Sequence, residues 1–368
     1  MWNQTNILFA ITWITCIILT IVKKQLWFLC IPFILFVVNE VAFAGGAPSL
    51  LFPDKNITEN FYDLSMFVTR YGSIDHNYSE GYYPNNDYSI TPKQAENNKF
   101  AKILELLGAT RGDVILDMGC GTCSFGAYCA NAGITVIGLT LSGEQVKLCE
   151  VKQIKALQRD FTVYYPELDS VADHILLLGS TEHIATGPHH FKSSFVKKHA
   201  HMTDMLRICK KYFKKNTHKP QRIFYSGLHV QPEFCHAPEL FILQRTYGGT
   251  FMLNDPTLNI ANAAQKAGYV NKILRDSTKE YYLATALNEQ HFGNPTYFFG
   301  WSGLSMLALG TLYPYMYYMY VYYVIGLWMW MFDGKHHYVD DTRYSLGTME
   351  NRPCTLWWYV GELPKNYD

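Results

Sequence analysis

The chain opens on two apolar runs, Ile7 to Val22 and Leu26 to Val38, separated by Lys23-Lys24-Gln25. Each run is shorter than the roughly 20 residues a spanning helix needs. Pro32 weakens the second run as a straight helix. Ala42-Phe43-Ala44 has the form of a signal-peptide cleavage site. Against that reading, no Lys or Arg precedes Ile7, and the apolar stretch is double and long. The pattern therefore predicts a retained N-terminal membrane anchor over residues 1–44, with Lys23 and Lys24 on the cytoplasmic side.

From residue 45 to 291 the pattern is that of one α/β domain. Phe100, Ile103, Leu104 and Leu107 have helical spacing, and Gly108 follows as a stop. Asp113–Asp117, Thr135–Leu139, His174–Leu178 and Arg222–Tyr225 read as short buried strands with helical patterns between them. That alternation predicts a doubly wound, mostly parallel sheet. Residues 292–332 contain no Asp, Glu, Lys or Arg and are crowded with tyrosines, among them Tyr313, Tyr315, Tyr317 and Tyr318. Three readings of this hydrophobic insertion stand: two short spans, helices lying in or on a membrane, or an aromatic wall around a lipid tunnel. The chain then turns polar over 333–368, and Thr355 to Val360 reads as a strand returning to the sheet.

Composition adds exclusions. Lys+Arg and Asp+Glu are both 31, so no basic excess exists to bind nucleic acid. Charged residues are 17%, against about 25% for soluble proteins. The mean hydropathy of −0.06 is the sum of a polar middle and uncharged ends. The nine cysteines are odd in number and irregularly spaced, which argues for free thiols in a reducing compartment rather than a disulfide framework. Cys120 and Cys123 form a C-x-x-C, but no second pair completes a zinc site. His189-His190 and His336-His337 lack ligand spacing, so no metal site is expected.

The chemistry-bearing motif is Asp117-Met118-Gly119-Cys120-Gly121-Thr122, after a strand and before a helical pattern. Glycines there let the backbone approach a ligand at the strand's C-terminal end. A dinucleotide loop needs a third glycine where Ser124 stands, and needs no acid inside the loop. The D-x-G-x-G form suits S-adenosylmethionine. The plain alternative is a tight strand-helix turn. The next strand leads into Gly138-Leu139-Thr140-Leu141-Ser142-Gly143-Glu144-Gln145, with no acid at its tip.

Val136 to Gln145 together with the glycine loop resembles the cyclopropane-fatty-acid synthase family of class I methyltransferases, which includes the mycolic acid cyclopropane synthases. Tyr62-Asp63-Leu64-Ser65 and Tyr78-Ser79-Glu80 are similar to its Y-D-L-S and Y-S-C elements. Ala95, Glu96 and Lys99 fall on its A-Q-x-x-K helix, and Ser180-Thr181-Glu182-His183 on its x-x-E-H. Phe241 to Gly249 and Ala267-Gly268-Tyr269-Val270 match two further elements, in register over about residues 58–290.

The resemblance implies a Rossmann-like fold and S-adenosylmethionine as cofactor. It implies that Tyr78 and Ser79 close over the methionine part, and that Asp117, Gly119, Cys120 and Gly121 form the cofactor loop. It places Thr140, Leu141 and Gln145 at the ribose and amino-acid end, and Tyr165 beside the adenine. Tyr78, Tyr82 and Tyr83 offer aromatic faces to a sulfonium, with core packing as the alternative. Glu182 would help hold a bicarbonate ion that removes a proton from the methylated acceptor, with His183 beside it. Its alternative is an acid satisfied at a helix N-terminus.

Several positions depart from the family pattern. Tyr164 replaces the acid before the adenine aromatic, Cys123 replaces the loop's third glycine, and Glu80 replaces the cysteine of Y-S-C, where it could itself act as a base. Tyr225 and Ser226 occupy the region of a family histidine. Simple methylation is thus at least as well matched as cyclopropanation. The resulting expectation is a membrane-associated methyltransferase, its catalytic domain cytoplasmic, acting on an unsaturated lipid chain. Two alternatives remain: a tethered small-molecule N- or C-methyltransferase, and a non-catalytic membrane protein that keeps the fold.

Overall fold

The computed structural model describes residues 4–24, 31, 58–59, 62–63, 66, 79–185, 192–215, 218–231, 251–284 and 354–364. Parallel strands buried on both faces read as continuous apolar runs, and β1 (Val114–Met118), β2 (Thr135–Thr140) and β4 (His174–Leu177) are of that kind. β3 (Lys155–Gln158), β5 (Arg222–Val230), β6 (Val270–Asp276) and β7 (Cys354–Glu362) complete a seven-stranded sheet in the order β3-β2-β1-β4-β5-β7-β6. β3 to β5 along that order are parallel, and β7 runs antiparallel between β5 and β6. The chain reverses direction across the sheet between β1 and β4, which is where doubly wound sheets bind ligands.

Helices cover both faces. α1 is Gln4–Lys23, α2 Pro92–Leu107, α3 Ser124–Asn131, α4 Gly143–Val151, α5 Lys192–Tyr212 and α6 Ile260–Lys266. Thr91 starts α2 with a capping box to Gln94, Pro92 presets its first turn, and Gly108 ends it in the left-handed region. Its Phe100, Ile103 and Leu107 join Phe125 and Cys129 of α3 over Ile115, Leu176, Phe224 and Trp358. On the other face, Met202, Leu206 and Cys209 of α5 and Ala263 of α6 pack on Met118, Ile175 and Tyr225. Truncating one of these fully buried aliphatics costs about 2–5 kcal/mol.

Three expectations change. Among the described residues no helix is long and apolar enough to cross a membrane, so the N-terminal membrane segment is not supported. α1 begins on polar Gln4, Thr5 and Asn6, its apolar run is short of the roughly 20 residues needed, and Cys16 within it is buried. The second apolar run, apart from Ile31, lies outside the described residues, as do 292–353 and the histidine pairs. The cysteines are not all free, because Cys123 and Cys149 form a disulfide. The strand expected at Arg222–Tyr225 continues to Val230, since β7 pairs with it from Arg222↔Glu362 to Val230↔Cys354.

Candidate cofactor site

The glycine loop leaves the end of β1 and is tied to β2, where Gly119 N and Cys120 N both donate to Leu139 O at 2.9 and 3.0 Å. Gly119 has φ +102°, and a β-carbon there would lie 2.7 Å from Ser180 Cβ. Gly121 has φ +52°, with nothing within 4 Å of its side-chain position. Only glycine meets both demands at 119, and the space over 121 stays open.

Beneath the loop sits Asp117, 3% exposed. Its Oδ1 has no hydrogen-bond partner among the described residues, and burial pushes its carboxyl up to about 7. Ser180 Oγ is likewise buried without a partner. A buried carboxylate oxygen left unpaired is costly, so the site fits a ligand that brings its own donors and positive charge.

The tip of β2 is built differently. Thr140 Oγ1 donates to Gln145 Oε1 at 2.5 Å, and Ser142 N donates to Thr140 Oγ1 at 3.2 Å. Ser142 Oγ caps α4 by accepting from Gln145 N. The same hydroxyl donates to Asp63 Oδ1 at 2.5 Å, which also accepts from Glu144 N at 3.2 Å. Thr140 and Gln145, both assigned to the cofactor by the resemblance, are thus hydrogen-bonded to each other, and Asp63 joins them as a third member to which the sequence assigns no role.

Beside this tip lies a cavity of about 380 Å³ lined by Glu59, Leu141, Gln158, Arg159, Asp160 and Tyr165. Leu141 and Tyr165 were expected there. Asp160 was not, yet its backbone N–H donates to Tyr165 Oη at 3.2 Å, and Arg159 lies 5.3 Å over the Tyr165 ring. An acid therefore does stand in this wall, four residues before the expected place. Tyr164 instead donates to Asp169 Oδ2 and stacks on Tyr212.

On the other side of the switch point, Thr181–His183 forms a 3-10 turn after β4. Glu182 is 1% exposed; its Oε1 accepts from Leu228 N at 2.6 Å and its Oε2 from Thr181 Oγ1 at 3.3 Å. Burial pushes its carboxyl up, and the Lys198 ammonium pulls it back. Lys198 is buried as well, donates to Met252 O, and is pushed down to about 7 by desolvation. His183 Nε2 meets Tyr62 Oη at 2.7 Å, with the Phe251 ring 5.5 Å away.

Glu80 is not beside Glu182 in partnership. It is 4% exposed and accepts from Trp358 Nε1 at 2.8 Å. Lys99, fully buried, donates to Ser79 Oγ, and the Glu80 charge opposes the fall in its pKa that burial causes. Tyr82 packs against Trp358 and under the Arg275 guanidinium at 4.7 Å, and Tyr83 is a core residue against Tyr88. These two rings serve packing. Tyr78 lies outside the described residues.

Known proteins resemble the chain in sequence and in fold. The family model described as mycolic acid cyclopropane synthetase matches residues 52–224. A probable fatty acid methyltransferase of Mycobacterium tuberculosis is 30% identical over 152 residues, 39% of this chain and 33% of that protein. The cyclopropane-fatty-acyl-phospholipid synthase of Escherichia coli is 32% identical over 123 residues, 32% of this chain and 30% of that protein. The chain thus matches about a third of the length of these curated relatives. The crystal structure of mycolic acid cyclopropane synthase CmaA1 with SAH and CTAB superposes with TM-score 0.60 at 16% identity, over 84% of this chain and 98% of that one. Cyclopropane synthase MmaA2 from Mycobacterium tuberculosis gives TM-score 0.58 at 15% identity, over 84% and 98%. The structural likenesses show an α/β Rossmann-like fold of the methyltransferase type, and residues 52–224 are similar to the mycolic acid cyclopropane synthetase family.

Proposed function

We propose that the chain is an S-adenosylmethionine-dependent methyltransferase that acts on a lipid-like acceptor. The observation that carries this reading is Asp117 Oδ1, buried and without a partner among the described residues, under a glycine loop at the sheet's switch point. S-adenosylmethionine, when bound, supplies an activated methyl group on a sulfonium cation. The chain's own residues bind and orient it. Asp117 accepts from its amino-acid end, and Gly119 and Gly121 keep the backbone clear of it. The hydrogen-bonded Thr140–Gln145 pair fixes the β2 tip beside the ribose. Leu141, Asp160 and Tyr165 wall the adenine. The relatives named for fatty-acid methylation and cyclopropane-fatty-acyl-phospholipid synthesis support a lipid acceptor at a membrane surface.

Glu182 is the candidate proton acceptor. Its carboxyl is raised by burial and held in place by Leu228 N–H and the Thr181 hydroxyl. The bicarbonate-dependent route is less well supported. Ser226 Oγ, in the region where a histidine is expected, accepts from Gly179 N at 3.0 Å, and Glu80 puts a carboxylate where the family has cysteine. Transfer of a methyl group without ring closure is the finer reading these residues favour. Lipid mass spectrometry after expression in a host tests it. A mass gain of one methylene on an unsaturated chain, without a ring, is expected; no modified lipid with cofactor-binding protein present would overturn the lipid reading.

A further inference from the structure

We infer that the Cys123–Cys149 disulfide is a covalent clamp on the cofactor loop, closed in an oxidising compartment, which holds the loop in its ligand-binding shape. The cofactor part of this inference rests on the function proposed above. The disulfide joins the residue just before α3 to the last turn of α4, the helices that follow the glycine loop and the β2 tip.

The site is built for sulfur. Cys123 and Cys149 are 1% and 0% exposed. Gly138 on β2 makes room for the neighbouring Cys120, whose Sγ would lie 2.5 Å from a β-carbon there, and Cys123 Sγ packs beside it at an ordinary contact distance of 3.6 Å. Gly121 O lies 3.7 Å from Cys149 Sγ, so the loop's own carbonyl rests on the clamp.

Cys123 also occupies a costly conformation. Its φ is +58°, in the left-handed region that disfavours residues with a β-carbon. Its side chain makes no capping hydrogen bond to α3. A glycine would hold this backbone without strain, so the covalent bond is what the cysteine contributes here. The sulfurs of Cys120, Cys123 and Cys149 lie within 4.8 Å of one another. Burial holds the Cys120 thiol protonated, so it does not compete as a nucleophile.

Closure is a two-electron oxidation. A low-molecular-weight disulfide such as oxidised glutathione accepts one thiolate's attack, and the second thiolate displaces it. Two protons and two electrons leave the protein, and two thiols are released. Buried protein disulfides of this kind persist in oxidising compartments, which would place the domain there rather than in the cytoplasm.

The test uses the full chain. In cells expressing it, thiols are trapped with N-ethylmaleimide at lysis and peptides are mapped without reduction. A Cys123–Cys149 cross-linked peptide is expected. The oxidised protein, the same protein after prolonged dithiothreitol, and Cys149→Ala are then compared by thermal melting and by S-adenosylmethionine titration. Opening the clamp should lower the melting midpoint and weaken cofactor binding on the order of tenfold through lost preorganisation. If Cys149→Ala does not fold, the oxidised and reduced wild type carry the comparison. Alkylated Cys123 and Cys149 in the cell-derived protein, one bound zinc or copper per chain, or equal melting and equal affinity in both states would each overturn the clamp. Failure of the oxidised protein to bind S-adenosylmethionine would overturn the cofactor reading and the affinity claim, with the mapping and melting results still deciding the cross-link.

Discussion

The two sides of the sheet's switch point handle buried polarity in opposite ways. On the β1–β2 side, the loop is shaped by two left-handed glycines and leaves Asp117 Oδ1 without a partner among the described residues. On the β4–β5–β7 side, buried charges are met by partners inside the protein: Glu182 by Leu228 N–H, Lys198 by Met252 O, Glu80 by Trp358. One side is left open, as a ligand site would be, and the other is completed by the fold. A buried group left open in a site of close backbone approach is a binding signal. A buried group already satisfied is either structural or held in place for chemistry.

Substitutions separate the two sides, and the largest effect belongs to the open one. Gly119→Arg puts a β-carbon 2.7 Å from Ser180 Cβ at φ +102°. S-adenosylmethionine binding should fall by about 100-fold or more, measured by equilibrium titration. An affinity within a few-fold of wild type would show that the ligand lies elsewhere.

Lys198→Met probes the closed side. It leaves Met252 O without its donor and removes the ammonium that acts on the buried Glu182 carboxyl, and the cost should be about 3 kcal/mol in denaturant unfolding. The pH dependence gives a second readout. Lys198 titrates at about 7 in the folded chain, below its usual 10.5. The unfolded chain therefore binds more protons between pH 7 and 10.5, so this group makes native stability rise with pH across that window. The variant should lose that rise. A smaller effect is expected from Trp358→Phe, which removes the donor to Glu80 Oε1 at 2.8 Å. About 1–3 kcal/mol of stability should be lost, with S-adenosylmethionine affinity unchanged.

Legibility in the sequence follows the same division. β1, β2 and β4 are continuous apolar runs and could be read directly, as could β7 from Thr355 to Val360. β3 has only Ala156 and Leu157 between Lys155 and Gln158, too short a run to announce itself. The glycine loop was legible because its chemistry is local. Asp63 and Glu59 were not, since their partners Ser142 and Gln158 stand 79 and 99 residues away. Lys198 follows Lys197 on an amphipathic helix and has the look of a solvated charge, yet it is buried against Met252. The disulfide was hidden among irregular cysteines until β1 and β2 brought the segments after them together.

Under the proposed function, Asp117 is the group that the cofactor's positive charge completes. Its carboxyl is raised to about 7 from 3.8, so near neutrality the ligand-free chain still holds a proton there. Binding a cation favours the ionised form, so binding releases that proton, and affinity should rise with pH by up to about tenfold per unit below 7 and level off above it. Calorimetric titration of S-adenosylmethionine from roughly pH 5.5 to 8.5, a range that brackets the shifted carboxyl, on wild type and Asp117→Asn, tests this directly. The prediction is a pH-dependent affinity with proton release in the wild type, and weak, pH-independent binding in the variant. Equal affinity for the two proteins across that range would contradict the central claim.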